Sequence, residues 1–397
     1  MIHKVIIAGA VRTPIGSFHG ALASQSATQL GSAAIAGVVS RSGISKEQVG
    51  EVVMGNVLSA GLGQAPARQA ALGAGLPEAV PCTTVNKVCG SGLKAVVMGA
   101  QAIAAGDAEI LVTGGMESMT HAPYLLARAR SGYRLGHGML TDSLIHDGLW
   151  DVYNDFHMGS AAEACVRKYQ LSRQDLDAYA VESYRRAQEA QKSGAFKREI
   201  VPVQTNEKNG RKGVSAGIVT EDEEPGRINL DKLRRLRPCF EPEGSVTAGN
   251  ASSLNDGAAA LVLMSERAAR QNGIPPRASI IAYTSTATQP ALFTTAPIAA
   301  ITSLLKKADL SIDDIDLFEI NEAFASSSLA VIRGLGIDSK KVNVRGGAIA
   351  LGHPIGASGS RVLTTLLYLL EDLNLSRGIA SLCIGGGEAL AMLIERH

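Results

Sequence analysis

An internal repeat between the first and last thirds of the chain constrains the fold more than any other sequence feature. Three short blocks recur in the same order and at a nearly constant offset of about 265 residues. The matched pairs are 52–56 with 317–321, 91–95 with 358–362, and 110–117 with 380–388. Each block is short, but a set that keeps its order favours two similar halves packed about a pseudo-twofold axis.

Short apolar runs alternate with helical patterns along both halves. Runs rich in Val, Ile and Leu, bounded by Gly or polar residues, predict buried strands at 4–8, 51–54, 110–113, 261–264, 279–282 and 379–383. Apolar residues that recur every three or four positions predict helices at 92–105, 295–308 and 360–373. Alternating strands and helices predict an α/β protein, and 397 residues exceed the size of a single core.

The segment between the two halves has a different composition. It is more charged, and loop-like stretches at 135–154 and 205–227 lie on either side of one strong helix, 173–193. Ser172 and Asp175 suit a capping box at the start of that helix. We therefore predict an inserted loop domain. The predicted domains are 1–119 plus 247–271 for the N-terminal half, 120–246 for the insertion, and 272–397 for the C-terminal half.

The charge balance and the N-terminus exclude several classes of protein. Lys plus Arg number 38 and Asp plus Glu 37, so no net field draws the chain to nucleic acid or to an anionic membrane. The first residues lack the pattern of a signal or transit peptide, and no apolar run approaches the roughly 20 residues that span a bilayer. We therefore expect a soluble, cytoplasmic protein with no nucleic-acid or membrane partner.

The five cysteines are odd in number, widely spaced and without a C-x-x-C pair. Such spacing argues against a disulfide framework and against a structural zinc site, so we expect free thiols and no metal. The chain also lacks a G-x-S-x-G elbow, a P-loop and an H-E-x-x-H motif. Serine hydrolysis, phosphoryl transfer and zinc proteolysis therefore lose support.

Cys89 lies in the segment 86–92, with sequence NKVCGSG, directly before a predicted helix. Free backbone N–H groups and the positive end of the helix favour a thiolate there, so we predict that Cys89 ionises readily as a nucleophile. The alternative is a glycine-rich turn that contains a small buried residue. Gly90-x-Gly92-x-x-Ala95 also fits a loose dinucleotide pattern, which leaves an NAD-dependent oxidoreductase as a competing class.

Three more segments combine glycines with polar or thiol side chains. His353 lies in 346–359, GGAIALGHPIGASG, where five glycines suggest close backbone approach to a ligand, although a lone histidine is often structural. Cys383 ends a predicted strand before a Gly-Gly-Gly turn, whose N–H groups suit an oxyanion or simply close the strand. Asn321 follows another strand, in NEAFA, and either orients a water or substrate or caps the next helix.

The four segments that hold these residues, 86–92, 321–325, 346–359 and 383–387, together resemble the signature blocks of the thiolase family. The resemblance spans nearly the whole chain and is closest to the biosynthetic branch, the acetyl-CoA C-acetyltransferases. It implies a five-layered αβαβα thiolase fold, the substrates acetyl-CoA, acetoacetyl-CoA and CoA, and no cofactor. The alternatives are a degradative 3-ketoacyl-CoA thiolase of broader chain length and a non-catalytic acyl-CoA-binding protein with the same fold.

The resemblance also implies roles for individual residues. Cys89 takes up an acyl group, His353 accepts the Cys89 proton, and Cys383 removes the α-proton of a second acetyl-CoA. His353 and a water held by Asn321 form one oxyanion hole, and the N–H groups of Cys89 and Gly385 form the other. The implied substrate and CoA contacts are Leu149, His157, Met158, Arg227, Ala248, Gly249, Ser252 and Phe324.

Two segments depart from the family pattern. Glu388 and Ala389 stand where the family usually has Met-Gly, and Ser253 stands where Gly is usual. Glu388 either perturbs the pKa of Cys383 or points away from it, while burial at a strand end is expected to keep Cys383 protonated. The resemblance further implies a homo-oligomer, a dimer of dimers joined by the 120–246 insertion, and a role in fatty acid metabolism.

Overall fold

The computed structural model describes residues 4–205 and 217–397, so residues 206–216 of the predicted loop stretch 205–227 lie outside the described residues, as do residues 1–3. The strands are β1 (Val5–Arg12), β2 (Gly16–Ser17), β3 (Glu51–Gly55), β4 (Cys82–Val85), β5 (Ile110–Ser118), β6 (Tyr124–Leu125), β7 (Thr141–Asp142), β8 (Trp150–Asp151), β9 (Phe156–His157), β10 (Val203–Thr205), β11 (Gly217–Val219), β12 (Asn255–Ser265), β13 (Ala278–Ala287), β14 (Leu317–Ile320), β15 (Arg377–Ile384) and β16 (Glu388–Arg396).

The helices occupy the segments between these strands, and the helices predicted from sequence are found within about two residues of their expected bounds. They are α1 (Ala27–Ser42), α2 (Pro66–Gly73), α3 (Ser91–Ala105), α4 (Met158–Tyr169), α5 (Arg173–Ser193), α6 (Leu230–Leu233), α7 (Glu266–Asn272), α8 (Ala296–Ala308), α9 (Ala325–Leu335), α10 (Ala348–Leu351) and α11 (Ser358–Asp372). Helix α5 begins with the predicted capping box of Ser172 and Asp175.

Ten strands form one mixed sheet whose order repeats. The path runs β14-β15-β16-β13-β1-β12-β5-β3-β4, with β2 beside β12. In the N-terminal half β3 and β5 are parallel and β12 is antiparallel to β5, and in the C-terminal half β14, β15 and β16 repeat that pattern. The halves meet where β1 pairs with β13 over two residue pairs. The repeat predicted from sequence is therefore present in the topology.

The apolar cores show the layers. One cluster lies between the halves and combines α3 and α11 with inward side chains of strands from both. A second joins α1 and α2 to the N-terminal strands, and a third joins α8 to the C-terminal strands. Helices α3 and α11 therefore form a layer between the N-terminal and C-terminal parts of the sheet, and α1, α2 and α8 cover the outer faces. This confirms the predicted αβαβα order.

Glycines at equivalent positions of the repeat bring the two inner helices into contact. A Cβ on Gly92 would lie 2.8 Å from the backbone nitrogen of Ser360, and a Cβ on Gly359 would overlap the backbone of Leu93. The start of α3 is therefore covered by α11. Since a dinucleotide pyrophosphate needs open N–H groups at the start of its helix, this packing argues against the NAD-dependent class.

In the part of the chain that the structure describes, one segment, Val88–Ala105, is long and apolar enough to cross a membrane. From the sequence we expected no such run, and that expectation was wrong by the criteria of length and composition. The segment includes α3, and its apolar side chains pack in the cluster between the halves. A mostly buried core helix meets the same criteria as a membrane span.

The segment between β5 and β12 contains α4, α5 and α6, and the pairs β6–β7, β8–β9 and β10–β11. A fully buried ion-pair network joins it to the N-terminal half. Arg12 lies 2.7 Å from Glu199 and 2.7 Å from Asp222, and all three side chains are shielded from solvent. Because a buried charge that loses its partner costs several kcal/mol, this network fixes where the insertion attaches. The domain boundaries drawn from sequence remain predictions.

Candidate active site

A cavity of about 630 Å³ opens where the two halves and the insertion meet. Eight of the site residues predicted from sequence line it, and they come from segments up to 264 residues apart. They are Cys89, Leu149, His157, Met158, Ala248, Ser252, Phe324 and His353. The cavity therefore brings together a thiol, a histidine and the apolar residues expected around an acyl group.

Cys89 sits on a strained turn between β4 and α3. The preceding residue, Val88, has φ of +46°, a left-handed conformation that is costly for a β-branched side chain. The segment 88–90 packs against the end of β15, where a Cβ on Gly90 would meet Ile384 and one on Gly385 would contact Val88. The backbone N–H groups of Gly385 and of Cys89 itself favour the thiolate form of Cys89. The turn thus holds the thiol beside two N–H donors.

Burial dominates the acidity of this thiol. The pKa of Cys89 is raised to about 11, first by desolvation, and the two N–H donors only partly oppose that rise. The negative charge of Glu117 raises the pKa a little further. The expectation that Cys89 ionises readily at the helix end was wrong for the ligand-free chain. Ionisation therefore depends on a base that takes the proton as the reaction proceeds.

His353 has the arrangement of such a base. Its Nδ1 lies 2.6 Å from Ser358 Oγ, and that hydroxyl donates its proton to the carbonyl of Pro354 at 2.9 Å. With the Ser358 proton directed at Pro354, the hydrogen of the neutral ring is assigned to Nδ1, which donates to Ser358, and Nε2 keeps a free lone pair. Within residues 4–205 and 217–397, Nε2 has no hydrogen-bond partner. Burial and the charge of Arg361 lower the pKa of His353 to about 3, so the ring is neutral.

Cys383 lies behind the wall of the cavity rather than in its lining. It is 1% exposed at the end of β15 and belongs to the apolar cluster that contains Phe293 and Phe324. Burial raises the pKa of Cys383 well above its ordinary value, and the nearby Cys89 thiol adds to the rise. This agrees with the expectation that Cys383 is protonated before substrate arrives.

Asn321 and Gly385 also lie beside the reactive groups without lining the cavity. Asn321 directly follows β14, its side-chain nitrogen is 3.4 Å from His353 Nδ1, and its Oδ1 has no partner among the described residues. A buried amide oxygen without a partner costs free energy unless water or ligand satisfies it. The end of β14 therefore offers an amide oxygen that can accept a hydrogen bond from a bound water.

Two of the predicted CoA contacts lie outside the lining. Arg227 forms an ion pair with Glu223 at 3.2 Å and stays more than half exposed. Gly249 turns away from the cavity, and a Cβ there would lie 2.8 Å from Leu233. Its role is to let the 246–252 loop approach that leucine.

The two departures from the family pattern have direct partners. Glu388 forms an ion pair with Lys87, so its carboxylate joins the start of β16 to the turn that carries Cys89, and it is not one of the main causes of the raised Cys383 pKa. Ser253 lines the cavity, and its hydroxyl donates to Asn255 Oδ1 at 2.9 Å.

Sequence reasoning found two members of an aromatic wall, His157 and Phe324, but missed the other two, Phe240 and Phe293. Phe240 stacks on His157 with ring centres 4.8 Å apart, and Phe324 meets the edges of Phe240 and Phe293 at 6.2 and 6.5 Å. These rings come from four separate segments, so no local pattern marks them. The only signal was the apolar Cys239-Phe240 pair that follows a basic run.

Groups of three metal-binding side chains are absent from the described ranges.

Known proteins match the chain over its full length. The family models described as "Thiolase, N-terminal domain" and "Thiolase, C-terminal domain" match residues 5–267 and 274–396. Acetyl-CoA acetyltransferase of Pseudomonas aeruginosa is 51% identical, with 100% of both chains covered. Acetyl-CoA acetyltransferase 2 of Arabidopsis thaliana is 53% identical over 98% of this chain and 96% of that one.

Two solved structures are similar as well. The crystal structure of the Bacillus anthracis acetyl-CoA acetyltransferase has a TM-score of 0.96 and 40% identity, covering 100% of this chain and 99% of that one. The Acat5 thiolase from Ascaris suum, in complex with coenzyme A, has a TM-score of 0.93 and 45% identity over 99% and 100%.

Proposed function

This chain belongs to the thiolase family, and we propose that it is an acetyl-CoA C-acetyltransferase, which condenses two acetyl-CoA to acetoacetyl-CoA and CoA and runs the reverse thiolysis. The observation that carries the proposal is the placement of Cys89, between two N–H donors, in the same cavity as the free Nε2 of a neutral His353. Relatives that carry the acetyltransferase name favour neither a broader-chain thiolase nor a non-catalytic binder.

The first half-reaction acetylates Cys89. As the sulfur attacks the thioester carbonyl, its proton passes to His353 Nε2, because the thiol alone is mostly un-ionised. The N–H groups of Cys89 and Gly385 donate to the developing oxyanion. CoA then leaves as a thiolate and takes a proton from Cys383, which leaves Cys383 as the thiolate that the second half-reaction uses.

The second half-reaction forms the carbon–carbon bond. The Cys383 thiolate removes the α-proton of a second acetyl-CoA, while His353, now protonated at Nε2, and a water held by Asn321 donate to the enolate oxygen. The enolate carbon attacks the acetyl group on Cys89. Cys89 is released as a thiolate and recovers its proton from His353, so all three groups return to their starting state.

The rest of the cavity binds the substrate. The pantetheine chain lies along the 246–252 loop, with Ala248 and Ser252 facing it, and the acyl group lies against the predicted pocket of Leu149, His157, Met158 and Phe324. Arg227 is the predicted contact for the CoA phosphates, and it would have to exchange Glu223 for phosphate. The reaction uses CoA thioesters as substrates and needs no further cofactor.

The protein acts as a cytoplasmic homo-oligomer, a dimer of dimers joined by the 120–246 insertion, within fatty acid metabolism. Exposed apolar side chains in that insertion support the oligomer, since Leu135, Met139 and Tyr153 are 98%, 80% and 72% exposed. Light scattering should give a tetramer mass. A monomer at working concentration would contradict this part of the proposal.

The function is tested by two measurements on the purified chain. Incubation with acetyl-CoA should add one acetyl group, located on Cys89 by peptide mass spectrometry, and prolonged incubation should yield acetoacetyl-CoA. Assays of condensation and thiolysis across acyl lengths should show the highest kcat/KM for the two- and four-carbon substrates. An enzyme that is not acetylated, or that prefers long acyl chains, would overturn the assignment.

A further inference from the structure

Glu117 is a buried carboxylate that the proposed reaction does not use. It lies near the end of β5, is fully shielded from solvent, and accepts four hydrogen bonds. Oε1 accepts from Asn56 Nδ2 at 2.8 Å and from the Leu58 N–H at 3.2 Å. Oε2 accepts from the Val57 N–H at 3.1 Å and from the Gly356 N–H at 2.9 Å.

These four donors come from both halves of the molecule. Three belong to the turn after β3, next to β5 in the N-terminal half. The fourth, Gly356, belongs to the C-terminal loop that carries His353 three residues earlier. That loop is held a second time, because the His353 N–H donates to Asn255 Oδ1 at 2.9 Å. Glu117 and Asn255 lie on the paired strands β5 and β12, so one edge of the N-terminal half fixes the loop at two points.

Among the residues that the structure describes, the carboxylate has no cationic partner, since all four groups that donate to it are neutral. Burial and the negative Asp256 on β12 raise the pKa of Glu117 to about 7, against the pull of its N–H donors. The charge also raises the pKa of Cys89. An apolar side chain of similar size would avoid the desolvation cost but would leave the three backbone N–H groups without partners and Asn56 Nδ2 with only the carbonyl of Met116.

We propose that Glu117 is a positioning residue for the condensation: its carboxylate holds the Gly356 N–H, and through it the loop of His353, in place against the half that carries Cys89. The inference rests on the proposed function, because it gives His353 a task that depends on its distance from Cys89. The rate of proton transfer depends on where the base lies, and a displacement of about 1 Å can lower the rate about 100-fold.

Two rates at Cys89 separate positioning from a general structural role. Acetylation by acetyl-CoA needs the thiol and a placed His353, whereas alkylation by iodoacetamide needs only the thiolate. In Glu117→Gln the new amide nitrogen cannot accept, so two of the four N–H donors lose their partner, and the negative charge is lost. We expect acetylation about 10-fold slower and, at pH 8, alkylation about 3-fold faster, because the Cys89 pKa falls.

Two further variants complete the comparison. Glu117→Asp keeps the charge but is one methylene shorter, so acetylation should slow while alkylation stays at the wild-type rate. Glu199→Gln is the matched control, since it removes a fully buried carboxylate that pairs with Arg12 and is not in the cavity lining. It should lower stability and leave the ratio of the two rates unchanged.

The pH profile adds an independent readout. Below about pH 7 Glu117 is increasingly protonated in the wild type, so the alkylation rates of wild type and Glu117→Gln should converge there and diverge above it. Parallel changes in both rates, or no change in either, would overturn the positioning role. If Glu117→Gln is insoluble, the acetylation rate of Glu117→Asp decides. A wild type that is never acetylated would instead overturn the proposed function.

Discussion

The two halves contact each other across the pseudo-twofold axis at two related places that have opposite uses. At one, Gly385 at a strand end of the C-terminal half packs against the turn of Cys89 on the N-terminal loop, and its N–H opposes the rise in the pKa of that thiol. At the other, Glu117 at a strand end of the N-terminal half accepts the N–H of Gly356 on the C-terminal loop. The repeat that matches Ser91 with Ser358 also matches Cys89 with Gly356.

The difference shows how one backbone frame supports two roles. The N-terminal loop has the Cys89 thiol beside the N–H of Gly385. At the equivalent position the C-terminal loop has Gly356, which donates its own N–H to the Glu117 carboxylate. The first contact leaves a cavity beside it, and the second is closed, because a Cβ on Gly356 would lie 2.6 Å from Glu117 Oε2. Reactivity therefore resides at one contact, and the other sets the distance between the halves.

Removing the thiol from the reactive contact should have the largest effect. In Cys89→Ser the fold is kept, but a hydroxyl beside His353 is far less ionised than a thiol, so condensation should fall by about 10,000-fold or more. Intact-mass spectrometry after incubation with acetyl-CoA should find no adduct. An acetyl group on the serine variant would remove Cys89 from its assigned role.

Removing the second thiol should separate the two half-reactions. Cys383→Ala should still acetylate Cys89 but should lose condensation by about 1,000-fold, because no base remains for the α-proton. The variant should accumulate a long-lived acetyl group while failing to exchange solvent deuterium into the methyl of acetyl-CoA. If exchange persists near the wild-type rate, another base such as His353 must act.

The acidity of the reactive contact can be measured without substrate. With the Cys89 pKa at about 11, alkylation of the free enzyme at pH 8 should be about 100-fold slower than that of an ordinary thiol, and should rise as the pH approaches 11. Peptide-level mass spectrometry distinguishes Cys89 from the exposed Cys239. Half-maximal alkylation near pH 8 would mean that the donors outweigh burial.

The smallest effect compares the two glycines themselves. Gly356→Ala should lower the free energy of unfolding by about 2 kcal/mol, because the new methyl group overlaps Glu117 and the carbonyl of Met116. Gly385→Ala should change it little, since the nearest side-chain atoms, on Val88 and Met158, lie 3.5 and 3.6 Å from the added carbon. Urea denaturation measures both. Equal losses would mean that the two contacts are equally tight.

Sequence alone predicted the repeat, the main strands and helices, and the placement of Cys89 and His353 on glycine-rich turns before helices. It ended β5 at Thr113, whereas the strand continues to Ser118 through Gly114 and Gly115. Those glycines are needed because the backbones of β12 and of the Gly356 loop approach them closely. This close approach exists only once the two halves are assembled. A strand predicted from its local sequence pattern therefore ends too early.

The properties that sequence could not predict depend on what covers a residue. The pKa of Cys89 was expected to be low from its helix end, but residues nearly 300 positions away bury it. Glu117 shows no local pattern of function, since its four donors come from two distant turns. The direction of the Glu388 side chain was likewise not predictable from the local sequence, because its partner Lys87 lies in the other half of the molecule.

The pseudo-twofold axis has a consequence for how such a chain could have arisen. A symmetric dimer of identical half-length subunits must place the same residue at both contacts, so a substitution that introduces a thiol at one introduces it at the other. Joining two copies of a gene in one reading frame removes that constraint. Each copy can then mutate alone, and one loop can keep its glycine for tight packing while its duplicate becomes reactive.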